Sequence, residues 1–202
     1  MDLVILVSDK NMESVVKGVL GRAGELGIRP ITYDLFVHPR RDPGCLNEAH
    51  DFLRPFHRDH SFALVMFDHE GCGRDQDPVA DVAASVKANL NRNGWPDRAE
   101  AVVLSPELEV WVWVQSPEVD ACLGWAGREP PLRTWLAANS HWPHYSQKPP
   151  RPKEALEASL REIRRPRSSA IYLELAQRVD LRGHDEPAYL RFTQTLQNWF
   201  PP

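Results

Sequence analysis

Cysteine is scarce. Cys45, Cys72 and Cys122 are scattered through 202 residues with no C-x-x-C pair, which argues against a disulfide framework and against a cysteine zinc site. A basic excess is also missing: 24 Lys+Arg stand against 28 Asp+Glu, for a net charge of −4. No global positive field draws nucleic acid, so any such contact must come from a local patch. No stretch approaches the roughly 18 apolar residues of a membrane span, so no membrane association is expected. The opening MDLVILVSDK lacks the basic region and cleavage site of a signal peptide. A cytoplasmic location is the natural expectation. No internal repeat is visible.

What is present is ordinary globular composition, 42% hydrophobic and 26% charged, cut by 18 prolines. Short apolar runs bounded by turn residues read as buried strands of a parallel sheet. Leu3–Val7, Ile28–Val37, Phe62–Phe67 and Ala101–Leu104 fit that description. Between them, helices are expected from Met12 after an Asn11 cap, over Leu46–Arg58 and over Pro78–Leu90. His38–Gly44 reads as a loop. Ser105-Pro106-Glu107 and Ser116-Pro117-Glu118 each combine a capping serine, a proline and an acid, and both predict helix starts. Alternating strands and helices predict an α/β fold with a mostly parallel sheet. After about Gly127 the texture changes: residues 128–152 are rich in Pro, Trp and His without a clear period. Helices are expected over Lys153–Arg164, Ser169–Val179 and Glu186–Trp199. The division is thus 1–127, an α/β domain, and 128–202, an irregular segment and helical tail packing on it.

The chemistry collects where strands end. Asp68-His69-Glu70 follows the Phe62–Phe67 run, at the sheet edge where open α/β folds place ligands. Residues two apart in extended chain face the same side, so Asp68 and Glu70 converge while His69 faces away. Asp9 follows the first strand, and Glu107 and Glu109 follow the last. Carboxylates gathered on one edge suit a hard cation such as Mg2+ or Mn2+, with a carboxylate or bound water handling the proton in phosphoryl transfer. Plainer readings exist for each: a helix-dipole partner for Glu107, a solvated or core-edge acid for Glu109, a turn or cap for Asp9. Lys10, His69 and Arg74 are the candidates for substrate or phosphate contact. The basic pair Arg40-Arg41 and the run Arg161–Arg167 either hold phosphate, or lie on a solvated surface or pair with acids. His141-x-x-His144 lacks neighbouring cysteines and is a poor zinc site. The tryptophans at 111, 113, 125 and 135 read as core.

Three segments together resemble the Toprim-like proteins: the strand before Ser8-Asp9-Lys10-Asn11, Phe67-Asp68-His69-Glu70-Gly71, and Leu104-Ser105-Pro106-Glu107-Leu108-Glu109-Val110-Trp111. The last is similar to the Pro-Glu-x-Glu-x-Trp signature of an uncharacterised bacterial branch. The tail fits too, through Pro152–Leu156, Ile171, Ala176, Val179-Asp180-Leu181, Phe192 and Leu196. The resemblance implies a Toprim-like sheet, a divalent-metal site built on Asp68, Glu70 and Glu107, and catalytic roles for Asp9, Asp68 and Glu70 in phosphodiester cleavage of DNA or RNA. It also implies membership of a bacterial antiphage defence system, some of them methylation-associated, with other defence-system proteins or a second copy of the chain as partners. One departure matters. Where the family carries a glutamate after the first strand, this chain has Ser8. Asp9 stands one residue on, and a one-residue shift turns a strand side chain to the opposite face. Two readings therefore stand side by side: a Mg2+-dependent nuclease, and a non-catalytic scaffold or sensor that kept the fold. A phosphatase or nucleotide-binding domain using the same edge is a third.

Overall fold

Five consecutive apolar residues with no polar alternation must be covered on both faces, and the structure obeys that rule. The structure is a computed structural model and describes residues 1–180 and 185–202. Leu181, part of the tail segment of the resemblance, lies outside the described residues. β1 (Leu3–Val7), β2 (Tyr33–Val37), β3 (Phe62–Asp68) and β4 (Ala99–Leu104) form a parallel sheet in the order β2-β1-β3-β4. Every residue of β1 is buried, and two helices connect it to β2: α1 (Lys10–Leu20) and the short α2 (Ala23–Leu26).

Side chains alternate across the strands and define two cores. Val4, Leu6, Ala63, Val65, Phe67, Ala101 and Val103 face α3 (Arg41–Leu53) and α4 (Val79–Arg92). Leu3, Ile5, Val7, Leu64, Met66, Val102 and Leu104 face α1 (Lys10–Leu20) and the tail helices α8 (Ser169–Arg178) and α9 (Pro187–Trp199). The tail thus shares with α1 the cover of one whole side of the sheet. The crossing of α1 and α8 is tight: a Cβ added at Gly18 would lie 2.6 Å from the Cβ of Ala176.

β1 has the expected boundaries; β3 runs on to Asp68, β4 begins already at Ala99, and β2 begins only at Tyr33 because Ile28 to Thr32 run on as irregular chain. Several local expectations are corrected. Asn11 is not the cap of the first helix. Asp9 is, with Oδ1 accepting from the N–H groups of Asn11 at 2.9 Å and Met12 at 2.8 Å. α3 begins at Arg41, inside the expected His38–Gly44 loop, and ends at Leu53, where Pro55 tightens the chain into a 3-10 turn over Arg54–Phe56. Ser105-Pro106-Glu107 does not start an α-helix. Glu107 is extended, and Leu108–Trp111 forms a 3-10 turn that drives Leu108, Val110 and Trp111 into the core. Ser116-Pro117 performs as expected: Ser116 caps α5 (Pro117–Cys122) through a bond from the Glu118 N–H at 3.3 Å. The segment read as irregular contains α6 (Leu132–Ala138), whose Leu132 and Leu136, four apart on one face, are both buried. α7 (Pro152–Glu162) follows, led by proline at its first position. Trp111, Trp113 and Trp125 are core, and Trp135 packs against it.

Candidate functional site

The strand order changes direction between β1 and β3: the chain leaves β1 toward one edge and β3 toward the other. Such a switch point opens a crevice at the carboxyl ends of the strands. Val7 pairs in register with Met66, so continuing the register by two residues sets Asp9 level with Asp68. Asp68 in turn pairs with Leu104, just before the segment carrying Glu107. A cleft of about 650 Å3 occupies this place, lined by Asp9, Asp42, Asp68, Glu70 and Glu107 on the sheet side.

Asp68 is the centre of the acidic wall. Its Oδ1 is shut off from solvent and has no hydrogen-bond partner. Burial, and then the neighbouring charges of Asp42, Glu109, Asp9 and Glu107, push its carboxyl well above the usual carboxylate range. Asp42 approaches from the first turn of α3, where its Oδ1 accepts the Asp68 backbone N–H at 2.9 Å. Glu70 is exposed and its side chain makes no hydrogen bond or ion pair within the described residues, while its N–H donates to the Pro106 carbonyl at 3.0 Å. That backbone bond holds the β3 exit against the β4 exit.

Glu107 has a different occupation. Its Oε1 accepts the Lys153 N–H at 2.9 Å, and its Oε2 lies 3.6 Å from Lys153 Nζ. It therefore satisfies one of the orphan donors at the start of α7, whose own cap residue Arg151 contributes no side-chain bond. Burial and then Glu109 raise its carboxyl above the ordinary value. Burial alone would lower Lys153, but Glu107 and Glu109 outweigh it and hold the ammonium above its usual range. The cleft lining thus mixes signs: the acids of the strand ends with Arg41, and from the start of α7 Arg151, Lys153 and Glu154, where Arg151 is paired with Glu154 at 2.8 Å.

Glu109 is turned away from the cleft. It is 2% exposed and bonded to Tyr172 Oη and to the Arg167 guanidinium. Arg167 also binds Glu157 at 2.9 Å and Tyr172 Oη at 2.7 Å. The second acid of Pro-Glu-Leu-Glu-x-Trp therefore fastens the post-β4 segment to α7 and α8. Arg165 similarly donates to the Cys122 carbonyl and pairs with Glu174 at 3.4 Å. Among the readings of the arginine run, pairing with acids is what these two residues do.

Lys10, His69 and Arg74 do not line the cleft. Lys10 pairs with Glu13 at 2.7 Å on the exposed face of α1. His69 faces away from the acids, as the alternation requires, with Nε2 3.0 Å from the Asp77 carbonyl oxygen. Arg74 is engaged by Asp77 and by Ser85 Oγ at 3.0 Å. Ser8, at the position of the missing glutamate, is buried, with Oγ 4.0 Å from Met12 Sδ. Arg41, of the basic pair Arg40-Arg41, lines the cleft, while Asp42, Arg151, Lys153 and Glu154 are charged cleft residues that sequence reading missed. For Asp42 a signal existed: it follows the β2 run as Asp9, Asp68 and Glu107 follow theirs.

The donor chemistry suits a hard cation: carboxylate oxygens, one of them buried without a partner. The donors are not gathered, however. Among the described residues no group of three His, Cys, Asp or Glu side chains stands as a ready ligand set. Among the described residues, too, no helix is long and apolar enough to cross a membrane. Comparison with family models, with curated proteins and with solved structures found no match to the chain.

Proposed function

We propose that the cleft at the carboxyl ends of β1, β3 and β4 takes up a divalent cation, Mg2+ or Mn2+, and acts on a nucleic-acid phosphodiester, the chain serving as a Toprim-like component of a bacterial antiphage defence system. The observation that carries the reading is the orphaned Oδ1 of Asp68 in a cleft that further carboxylates also line. Buried polar atoms are nearly always satisfied, so an exception at a sheet switch point calls for a ligand. Its neighbours are acids, so that ligand is cationic. Asp68 and Glu70 would hold it, with Asp9 joining through the Oδ2 that its capping role leaves over. A divalent cation in such a place polarises a phosphoryl oxygen and makes water more acidic. Arg41 and Lys153, which line the same cleft, supply the positive charge against which a phosphate would settle.

The scaffold reading has its own support. Ser8 is buried at the position of the family's glutamate, and Asp9 Oδ1 is committed to the α1 cap. The test is cleavage of single- and double-stranded DNA and RNA with Mn2+ or with EDTA, by the wild type and by Asp68→Asn. Metal-dependent cleavage lost in the variant supports the enzyme. Metal-linked stabilisation without cleavage supports the scaffold. Neither effect in the wild type overturns both the cation and the chemistry.

A further inference from the structure

A second cavity, of about 490 Å3, opens in the Pro- and Trp-rich part of the chain. Trp113 and Trp142 line it in T-shaped contact, with ring centroids 5.4 Å apart. The loop carrying Trp142 is pinned. Arg133 lies over the indole with its guanidinium carbon 4.3 Å from the ring centroid, and donates to the Pro143 carbonyl at 2.9 Å. The Trp142 indole N–H donates to the Ser146 carbonyl at 2.9 Å. From this fixed loop Tyr145 stands 92% exposed at the rim of the cavity. Besides Arg133, His144 and the serines Ser116 and Ser146, the polar residues Gln115, Asp120 and Gln147 line the same space. The side chains of these last three make no hydrogen bond or ion pair within the described residues. Asp120 is half-buried, and burial raises its carboxyl above the usual range.

An accessible aromatic ring, here that of Tyr145, beside unpaired amide and carboxylate groups is what a nucleobase requires: its face stacks, and its edge finds hydrogen bonds. Asp120 narrows the choice. An ionised carboxylate only accepts, and its two oxygens match two neighbouring donors in a bidentate pair. Among the common bases, guanine alone presents two adjacent N–H donors, N1–H and N2–H, on one edge. We propose that this cavity binds a guanine base, stacked against Tyr145 and paired through N1–H and N2–H with Asp120. The site adjoins the acidic cleft. Trp113 lines the base cavity, and its indole N–H donates at 2.9 Å to the carbonyl of Pro152, which lines the cleft. A strand with its phosphate in the cleft would have a base within reach of the cavity. That connection rests on the function proposed above; the base site does not.

The experiment titrates the intact chain with GMP, AMP, CMP and UMP in EDTA, read by tryptophan fluorescence and by calorimetry. GMP is expected to bind, with AMP and UMP weaker by at least about tenfold, since each mismatched polar pair is worth that much. Asp120→Asn is expected to lose about tenfold or more for GMP alone. Tyr145→Ala, at an exposed position that leaves the fold intact, should weaken all four nucleotides by roughly tenfold, the scale of one lost stack. Equal binding of the four nucleotides, or GMP binding indifferent to both substitutions, overturns the assignment. So does the absence of binding. Mn2+-linked stabilisation is measured on the same preparations. If it persists while GMP fails to bind, the base site falls alone; if GMP binds without it, the cation reading falls alone.

Discussion

Replacing Asp68 with asparagine should reverse the order of stability of the two proteins when metal is added. In EDTA at pH 7–8 the wild type carries an acid whose burial and acidic neighbours Asp42, Glu109, Asp9 and Glu107 all oppose ionisation. The folded pKa is raised, so between the unfolded and folded values the native state binds more protons. The native state's stability then falls as pH rises through that window, and is recovered on acidification. Asparagine removes the charge but keeps the shape. Leaving a buried group unsatisfied costs about 1–3 kcal/mol, and more when it is charged; the amide escapes the charge part of that penalty, so the variant should be more stable than the wild type by an amount on that scale, with each kcal/mol moving the melting midpoint by roughly 2–4 °C. Its stability should also lose the part of the pH slope that Asp68 contributes. Divalent metal acts the other way. At a concentration of about 100 times its dissociation constant it stabilises the wild type by about 2.7 kcal/mol, and leaves the variant nearly untouched. Thermal melts across pH, with EDTA and with a Mn2+ series, read both effects. A variant less stable than the wild type in EDTA would show that the carboxylate is satisfied and the orphaned-oxygen argument is wrong. Equal stabilisation of both proteins by Mn2+ would place the cation elsewhere.

Three further outcomes test other parts of the structure. Asp9→Asn keeps an acceptor for the α1 cap, so it should hold stability within a few tenths of a kcal/mol while weakening Mn2+-linked stabilisation; Asp9→Ala should lower stability by about 1 kcal/mol as well, by urea unfolding. Gly18→Ala, a change that helix propensity alone favours by about 1 kcal/mol, should instead destabilise by about 1–3 kcal/mol, because the new methyl meets Ala176. Arg167→Ala leaves Glu109 buried without its cation and should cost about 3–5 kcal/mol in chemical denaturation, with Glu109→Gln in the same background recovering part of the loss.

The strands and helices were largely legible because their signal is local. β1, β3 and β4 are apolar runs with abrupt polar ends, and amphipathic spacing marks α4, α7, α8 and α9. The misjudged places are those where a tertiary contact outweighs a local preference. Ser105-Pro106-Glu107 carries every helix-start feature, yet Glu107 serves the N-terminus of α7 rather than its own segment. α3 begins before its apolar stripe, in residues whose composition suits a loop, and so carries Asp42 to the strand end it bonds.

By itself the sequence determined a parallel α/β sheet with acids at the ends of its strands, since short unbroken apolar runs must be buried on both faces and their polar exits fall on one edge. Which of those acids belong together followed from folding. It brought Asp42 beside Asp68, turned Glu109 inward to Arg167 and Tyr172, and set Arg151 and Lys153 in the same cleft. It also made the tail part of one face of the core rather than an attachment. Hydrophobic burial is read from neighbours in sequence, but the ionisation, pairing and accessibility of a carboxylate are set by groups that only folding brings within reach.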